Sequence, residues 1–483
     1  MAQSLKHKTV SGMFWNSIQR FGTMSISFIS NIVLARLLVP EDFGYIGMLM
    51  FFIAISESFI DSGFATALIQ KKNPTQEDYS TIFYWNIFLS IFFVIVLQIS
   101  APYIADFYKM PKLCIILRVQ SWLLMINAFS IIQRNRLVKS FDFKKLAFRN
   151  LLATSIATVV AIIMAYYGFG VWSLVARNLV AGVVSSITIW YVAKWKPSFV
   201  FAWKSFKELF QFGGLMFISY MLDTIYKNVQ TLLIGKFYSA KDLGFYTQAK
   251  RMEEVPFSSL IGVINQVTFP AFAEIQDDLN KVKNTIRKNI KAIAFLSSPL
   301  SFLLIIIAKP LFPILITSKW DQSIPYFQIL CVIGLIYSVN YIHTNVLKAL
   351  GKGKLYVFSR LIKLSIGFIS IFIGVQFSVM GMMIAIAISA YICHIVNMIV
   401  SKRIVNYGIF EQLKDLIPYI LIACIAGVAS YSFGVLVGNI NNYLLLFSQS
   451  CIYILAYLAI SYVVKLEGLT IFYNIIGNKF RKK

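Results

Sequence analysis

Apolar residues in this 483-residue chain come in long, nearly unbroken runs. They do not alternate with polar positions as half-buried strands would, and they lack the polar face of a helix on a soluble core. Fourteen runs are close to the ~20 residues a helix needs to cross a bilayer. They cover roughly 11–38, 43–69, 80–102, 113–133, 148–168, 171–193, 211–235, 244–272, 289–308, 324–350, 356–376, 379–401, 416–437 and 443–464. This pattern predicts an all-α polytopic membrane protein of about fourteen transmembrane helices. Arg118 and Gln120 make the fourth run the weakest, and 309–323, with Pro310, Pro313 and Trp320, reads as a short re-entrant or interfacial piece.

One stretch occurs twice. Leu34-Ala35-Arg36-Leu37-Leu38-Val39-Pro40-Glu41-Asp42-Phe43-Gly44-Tyr45 aligns without gaps on Ile234-Gly235-Lys236-Phe237-Tyr238-Ser239-Ala240-Lys241-Asp242-Leu243-Gly244-Phe245. Each copy places a cation after one helix, an Asp where it caps the next, and a Gly just inside it. A fixed internal repeat in an apolar chain indicates a duplicated unit, the build of many secondary transporters. The expected organisation is two pseudo-symmetric six-helix lobes, 1–197 and 211–403. Residues 198–210 would join them as an amphipathic interfacial helix, and 404–483 would add two helices and a basic cytoplasmic tail.

Composition agrees with the pattern. Hydrophobic residues make up 58% of the chain and charged residues 13%, where a soluble domain carries about a quarter charged residues. The net charge of +25 raises nucleic-acid binding, but the cations do not gather in a soluble basic domain. With the N-terminus in the cytoplasm, 30 of the 45 Lys and Arg fall in loops on the inner side and seven in loops on the outer side. That asymmetry is a topology signal with both termini cytoplasmic, and it argues against nucleic acid as a partner. The five cysteines are scattered, and the histidines are His7, His343 and His394. Neither a disulfide framework nor a metal site is expected, and no cofactor. The first run is too long for a cleavable signal.

With Arg36, Arg149, Lys291 and Lys348 at the run ends counted among the loops, eight cations and five acids lie inside the runs. A charge within a bilayer costs a few kcal/mol or more, so each is a functional candidate. Arg118, Arg177, Arg360 and Lys363 are close enough to run ends to snorkel. Arg20, Lys227, Lys250 and Arg251 remain as candidate ligands for an anionic substrate. Lys250 and Arg251 form, with Glu253 and Glu254, a polar turn that replaces Met50, Phe51, Ile53 and Ala54 of the first copy. Asp223 stands four residues before Lys227, where an internal ion pair competes with a functional role. Glu57 and Asp61 share one helix face and repel unless a proton, a metal ion or a cation such as Arg20 intervenes. Glu57, Asp61 and Asp223 are therefore the candidates for ion coupling, with a structural Arg20–Glu57 bridge as the competing reading.

The residues also resemble a known family. Phe14-Trp15-Asn16-Ser17, the 34–44 stretch, Asp61-Ser62-Gly63-Phe64, and Leu243-Gly244-Phe245-Tyr246 with Ala249 and Pro256 are similar to the Wzx-type bacterial polysaccharide flippases. These belong to the multidrug/oligosaccharidyl-lipid/polysaccharide (MOP) exporter superfamily. The resemblance covers about residues 10–465. It implies a non-enzymatic inner-membrane transporter that alternates inward and outward. It also implies an undecaprenyl-pyrophosphate-linked oligosaccharide as cargo, and a polysaccharide polymerase and chain-length regulator as partners. The alternatives are a lipid II-type flippase, a multidrug cation exporter, and a membrane polysaccharide polymerase or ligase. The surplus of intramembrane cations disfavours a cation exporter, and the short outer loops without His disfavour a polymerase.

Overall fold

A computed structural model describes residues 2–438 and 440–470. Fifteen α-helices account for most of it. They are α1 (Ala2–Leu37), α2 (Pro40–Asp61), α3 (Phe64–Gln70), α4 (Gln76–Tyr108), α5 (Lys112–Lys139), α6 (Phe143–Tyr166), α7 (Val171–Ala193) and α8 (Trp203–Phe237). The others are α9 (Ala240–Glu274), α10 (Leu279–Ile316), α11 (Ser323–Ala349), α12 (Gly353–Gly374), α13 (Val379–Val405), α14 (Ile409–Val437) and α15 (Asn442–Val463). No strand occurs among the described residues. With α2 and α3 taken together, each predicted run falls on one helical segment. Among the described residues, eleven of these segments are long and apolar enough to cross a membrane. The chain is an all-α, multi-pass membrane protein.

Two expectations are corrected. The second run is not continuous: Ser62 and Gly63 adopt left-handed backbone, φ 45° and 72°, and separate α2 from α3. A Cβ on Gly63 would lie 2.2 Å from the Gly213 carbonyl oxygen of α8, so the break also admits a close backbone approach. Nor is 309–316 a re-entrant piece. It is the last part of α10, which runs 38 residues through Pro299, Pro310 and Pro313 before a 3₁₀ turn at Ser318–Trp320. At 1.5 Å per residue α10 is about 57 Å long, well beyond a ~30 Å hydrocarbon core. Its first turns carry Lys281, Lys283, Arg287, Lys288 and Lys291, so much of the basic charge read as loop lies on helix that extends past the bilayer.

The chain forms two compact units, Met1–Thr247 and Gln248–Lys483. In the first, α1 lies along α6, α6 against α7, α4 against α5, and α2 on α8. At one end Phe64, Leu68, Tyr79, Phe83, Trp195 and Phe206 form an aromatic core. The connector before α8 is fixed to this core: Trp195 Nε1 donates to Gln76 Oε1 at 2.6 Å, and the Ser198 and Ala202 amides donate to Ser80 and Thr81. Residues 203–210 are the first turns of α8, with Phe206 and Leu209 buried and Lys204 and Lys207 outward. In the second unit α10 packs against α11, α14 and α15, and α13 packs against α11 and α12.

Both repeated stretches cap the helices they precede. Asp42 accepts the Val39 amide at 3.3 Å, and Asp242 accepts the Ser239 amide at 3.2 Å and its hydroxyl at 2.6 Å. The copies also meet each other. A Cβ on Gly44 would stand 1.8 Å from the Ala240 carbonyl oxygen, and one on Gly244 would stand 1.9 Å from that of Pro40. Residue 40 thus meets 244 as 44 meets 240, a local two-fold contact between the starts of α2 and α9 that only glycine permits.

Candidate functional site

The predicted site residues fall in both units: Arg20, Glu57, Asp61, Asp223 and Lys227 in the first, Lys250 and Arg251 in the second. In the first unit the side chains of α2 face α5 and α8. The Glu57 Oε1 accepts a hydrogen bond from Asn127 Nδ2 of α5 at 2.9 Å. Ser58 donates to Thr224 Oγ1 of α8 at 3.0 Å, and Phe59 packs on Phe217 with ring centres 5.0 Å apart. On α7, a Cβ on Gly182 would lie 3.5 Å from Asn127 Oδ1. Four helices therefore converge around Glu57, Ser58, Asn127 and Thr224.

Glu57 is exposed although it lies well inside a membrane-length segment, and Lys227, one turn beyond Thr224 on α8, is exposed as well. Asp223 is half-buried. Asp61 is also half-buried, at the last position of α2 just before the break to α3. Arg20 is half-buried on α1, whose placement comes from α6: a Cβ on Gly22 would meet Leu151 at 2.6 Å. The partner the structure gives Glu57 is Asn127, an amide that sequence reasoning passed over. Lys250 and Arg251 are half-buried on α9; Glu253 lies beside Gly334 of α11.

Several cations read as loop or snorkelling residues have specific structural partners. Lys139 donates to the carbonyls of Leu68 and Ile69, both at 3.0 Å, and of Lys71, closing the C-terminus of α3. Lys236 donates to the Phe107 carbonyl at 2.7 Å near the end of α4. Lys71 bridges Asp78 and Glu208 at 3.0 and 3.1 Å. Burial works against its ammonium, but the hydrogen bonds to the two acids outweigh that and hold its pKa above the ordinary lysine value. Lys363 does not snorkel. It sits near the middle of α12 and donates to Asn397 Oδ1 of α13 at 3.0 Å.

The sequence model for the family described as "Polysaccharide biosynthesis protein" matches residues 33–325. Teichuronic acid biosynthesis protein TuaB of Bacillus subtilis (strain 168) is 24% identical over 417 residues, covering 85% of each chain. Lipopolysaccharide biosynthesis protein WzxC of Escherichia coli (strain K12) is 25% identical over 338 residues, 70% of this chain and 69% of that one. Among solved structures, the lipid II flippase MurJ in an inward closed conformation aligns with a TM-score of 0.77 at 16% identity, over 96% of this chain and 99% of its own. The fold is that of this flippase structure. With the family match covering more than half of its length, the chain belongs to the polysaccharide biosynthesis protein family.

Proposed function

We propose that the chain is an inner-membrane flippase that carries an undecaprenyl-pyrophosphate-linked oligosaccharide from the inner to the outer leaflet by alternating access. The observation that carries this reading is the exposure of Glu57 well inside a membrane-length segment, where a lipid-facing charge would be strongly disfavoured, with Lys227 also exposed on the neighbouring α8. Exposed charges at such depth belong to a water-filled path, and a pyrophosphate headgroup needs one lined with cations. Arg20, Lys227, Lys250 and Arg251 are the headgroup ligands in this reading. Glu57, Asp61 and Asp223 hold the coupling ion. Lobes 1–197 and 211–403, joined through 198–210, are the halves that alternate, and both termini lie in the cytoplasm. The chemistry belongs to carriage: the chain moves the repeat unit and leaves its bonds intact. Relatives named for teichuronic acid and lipopolysaccharide biosynthesis support a polysaccharide precursor as cargo.

The test is flipping of a fluorescent lipid-linked oligosaccharide by the purified chain in proteoliposomes. The Arg20→Ala/Lys227→Ala double variant is expected to lose about tenfold or more of the rate while inserting normally. Wild-type flipping by the double variant overturns the headgroup assignment. Faster movement of a lipid II analogue than of any polymer repeat unit overturns the cargo class.

A further inference from the structure

A buried polar network crosses α11, α12 and α13 in the second unit. Lys363 of α12 donates to Asn397 Oδ1 of α13 at 3.0 Å. Asn397 Nδ2 in turn donates to Asn340 Oδ1 of α11 at 2.9 Å, and the same oxygen lies 2.7 Å from His394 Nδ1 of α13. A carbonyl oxygen only accepts, so His394 donates through Nδ1–H and its Nε2 carries a bare lone pair. That Nε2 is buried without a hydrogen-bond partner, in a side chain 4% exposed. A second ring, His343 of α11, meets the first edge to face with centres 5.7 Å apart. Its Nδ1 lies 2.7 Å from Ser401 Oγ, and its Nε2 is likewise buried and unpartnered, in a side chain 2% exposed.

Native interiors leave few polar atoms in this condition, and each calls for an explanation. A metal ion does not provide one: no group of three or more His, Cys, Asp or Glu gathers among the described residues. A proton needs only one lone pair. We propose that the His343–His394 pair is a proton-binding site of the second unit, with His394 Nε2 as the atom that takes the proton. The proton comes from hydronium, which leaves as water; an Nε2–H bond forms and the ring becomes a cation.

The surrounding charges give the event a consequence. Lys363 faces the network from α12, with Arg360 one turn earlier against Tyr356. Cys393, beside His394, lies 3.8 Å from the Lys363 carbonyl oxygen, and Glu253 of α9 stands against Gly334 of α11. Between α10 and α14, Asp415 is already committed to Arg287 and Lys291. An imidazolium at His394 is therefore joined to the Lys363 ammonium through only two amides. Like charges this close in a low-dielectric interior repel, so protonation loosens the bonds that tie α11, α12 and α13 together. The site thus supplies a proton-dependent change in helix packing that holds whatever the chain carries.

The experiment reads the rings directly and needs no cargo, so its failure is separate from failure of the flippase reading. The full chain, labelled with ¹⁵N-histidine and placed in lipid nanodiscs, contains only three histidines. Single His→Gln variants at 7, 343 and 394 assign the signals, and any two of them suffice if one does not fold. At about pH 8, His394 is expected as the Nδ1–H tautomer, gaining an Nε2 proton as the pH is lowered from 8 toward about 4. Asn340→Leu is expected to release the tautomer, so that both forms appear. An Nε2–H tautomer at the alkaline end, a ring that stays neutral throughout that range, or a tautomer indifferent to Asn340→Leu overturns the proposal.

Discussion

Asp415, 4% exposed at the start of α14, accepts Arg287 Nε and Nη2 at 2.7 and 3.1 Å, lies 3.3 Å from Lys291 Nζ, and accepts the Tyr407 hydroxyl at 2.7 Å. Burial, and then the bond to Asp415, push the Tyr407 phenol above its ordinary pKa, so it stays a donor. Asp415→Ala leaves these donors without their acceptor, and a loss on the order of 3 kcal/mol is expected, toward the low end for a buried pair because Arg287 is partly exposed. Lys281→Ala, which removes one exposed partner of Asp278, is expected to change stability by less than about 0.5 kcal/mol. Equal losses for the two in thermal unfolding of the detergent-purified chain would refute this ranking. Single residues were legible where the argument needed only their presence. A charge inside an apolar run is visible by eye, and Glu57 and Lys227 were found that way. Orientation was not legible. Lys363 read as a snorkelling residue because its partner Asn397 is 34 positions away, and the run through Ser62 gave no sign that a new helix begins there. The two buried histidines were considered only for metal binding, which requires several ligands, whereas a proton requires one.

Helices were the most legible level, since their signal is long and cumulative. Each predicted run lies on a helical segment, and the errors concern what happens at the ends: α10 extends well beyond its apolar core, and α2 breaks early. Hydropathy does not register a polar helical extension, and a two-residue left-handed break adds no polar stretch. The repeated stretch was legible as a word, and its capping Asp followed from position. The contact between its two copies was not, because it depends on backbone from distant parts of the chain meeting. That contact gives a sharp prediction. In Gly44→Ala or Gly244→Ala the added methyl meets a carbonyl oxygen at under 2 Å, and no rotamer relieves a Cβ clash with backbone. Either substitution is expected to destabilise the chain by about 3 kcal/mol, and Gly353→Ala, whose Cβ meets nothing within 4 Å, to be silent. The readout is the monodisperse fraction surviving a heating series. If Gly44→Ala tolerates heat as well as Gly353→Ala does, α2 and α9 do not cross as described.

At the scale of the whole molecule, side-chain contacts supply a check on topology independent of charge counting. If every segment crosses the bilayer once, with α2 and α3 counted as one, helix ends that touch must lie on the same side. Lys71, after α3, binds Asp78 at the start of α4 and Glu208 at the start of α8; Lys139, at the end of α5, closes α3. Lys283, Arg287 and Lys291, in the first turns of α10, bind Glu411 and Asp415 at the start of α14 and Glu467 beyond α15. By parity, all of these ends belong to one side. The end of α4, the end of α8 and the starts of α2 and α9 belong to the other, and there Lys236 meets the Phe107 carbonyl and Gly44 meets Ala240. Contacts alone do not say which side is cytoplasmic, but the first side holds the thirty cations and the second the seven. The prediction is that the thirty-cation side faces the cytoplasm. With the five native cysteines replaced, Lys145→Cys and Asn280→Cys are expected to resist an impermeant maleimide in intact cells, and Phe169→Cys and Asn441→Cys to label. All four should label in inverted vesicles opened with detergent, which controls for burial. The reverse pattern in intact cells would invert the orientation while leaving the parity intact. Labelling of Lys145→Cys together with Phe169→Cys would break the parity itself, because α6 alone separates these two positions and must carry the chain from one side to the other.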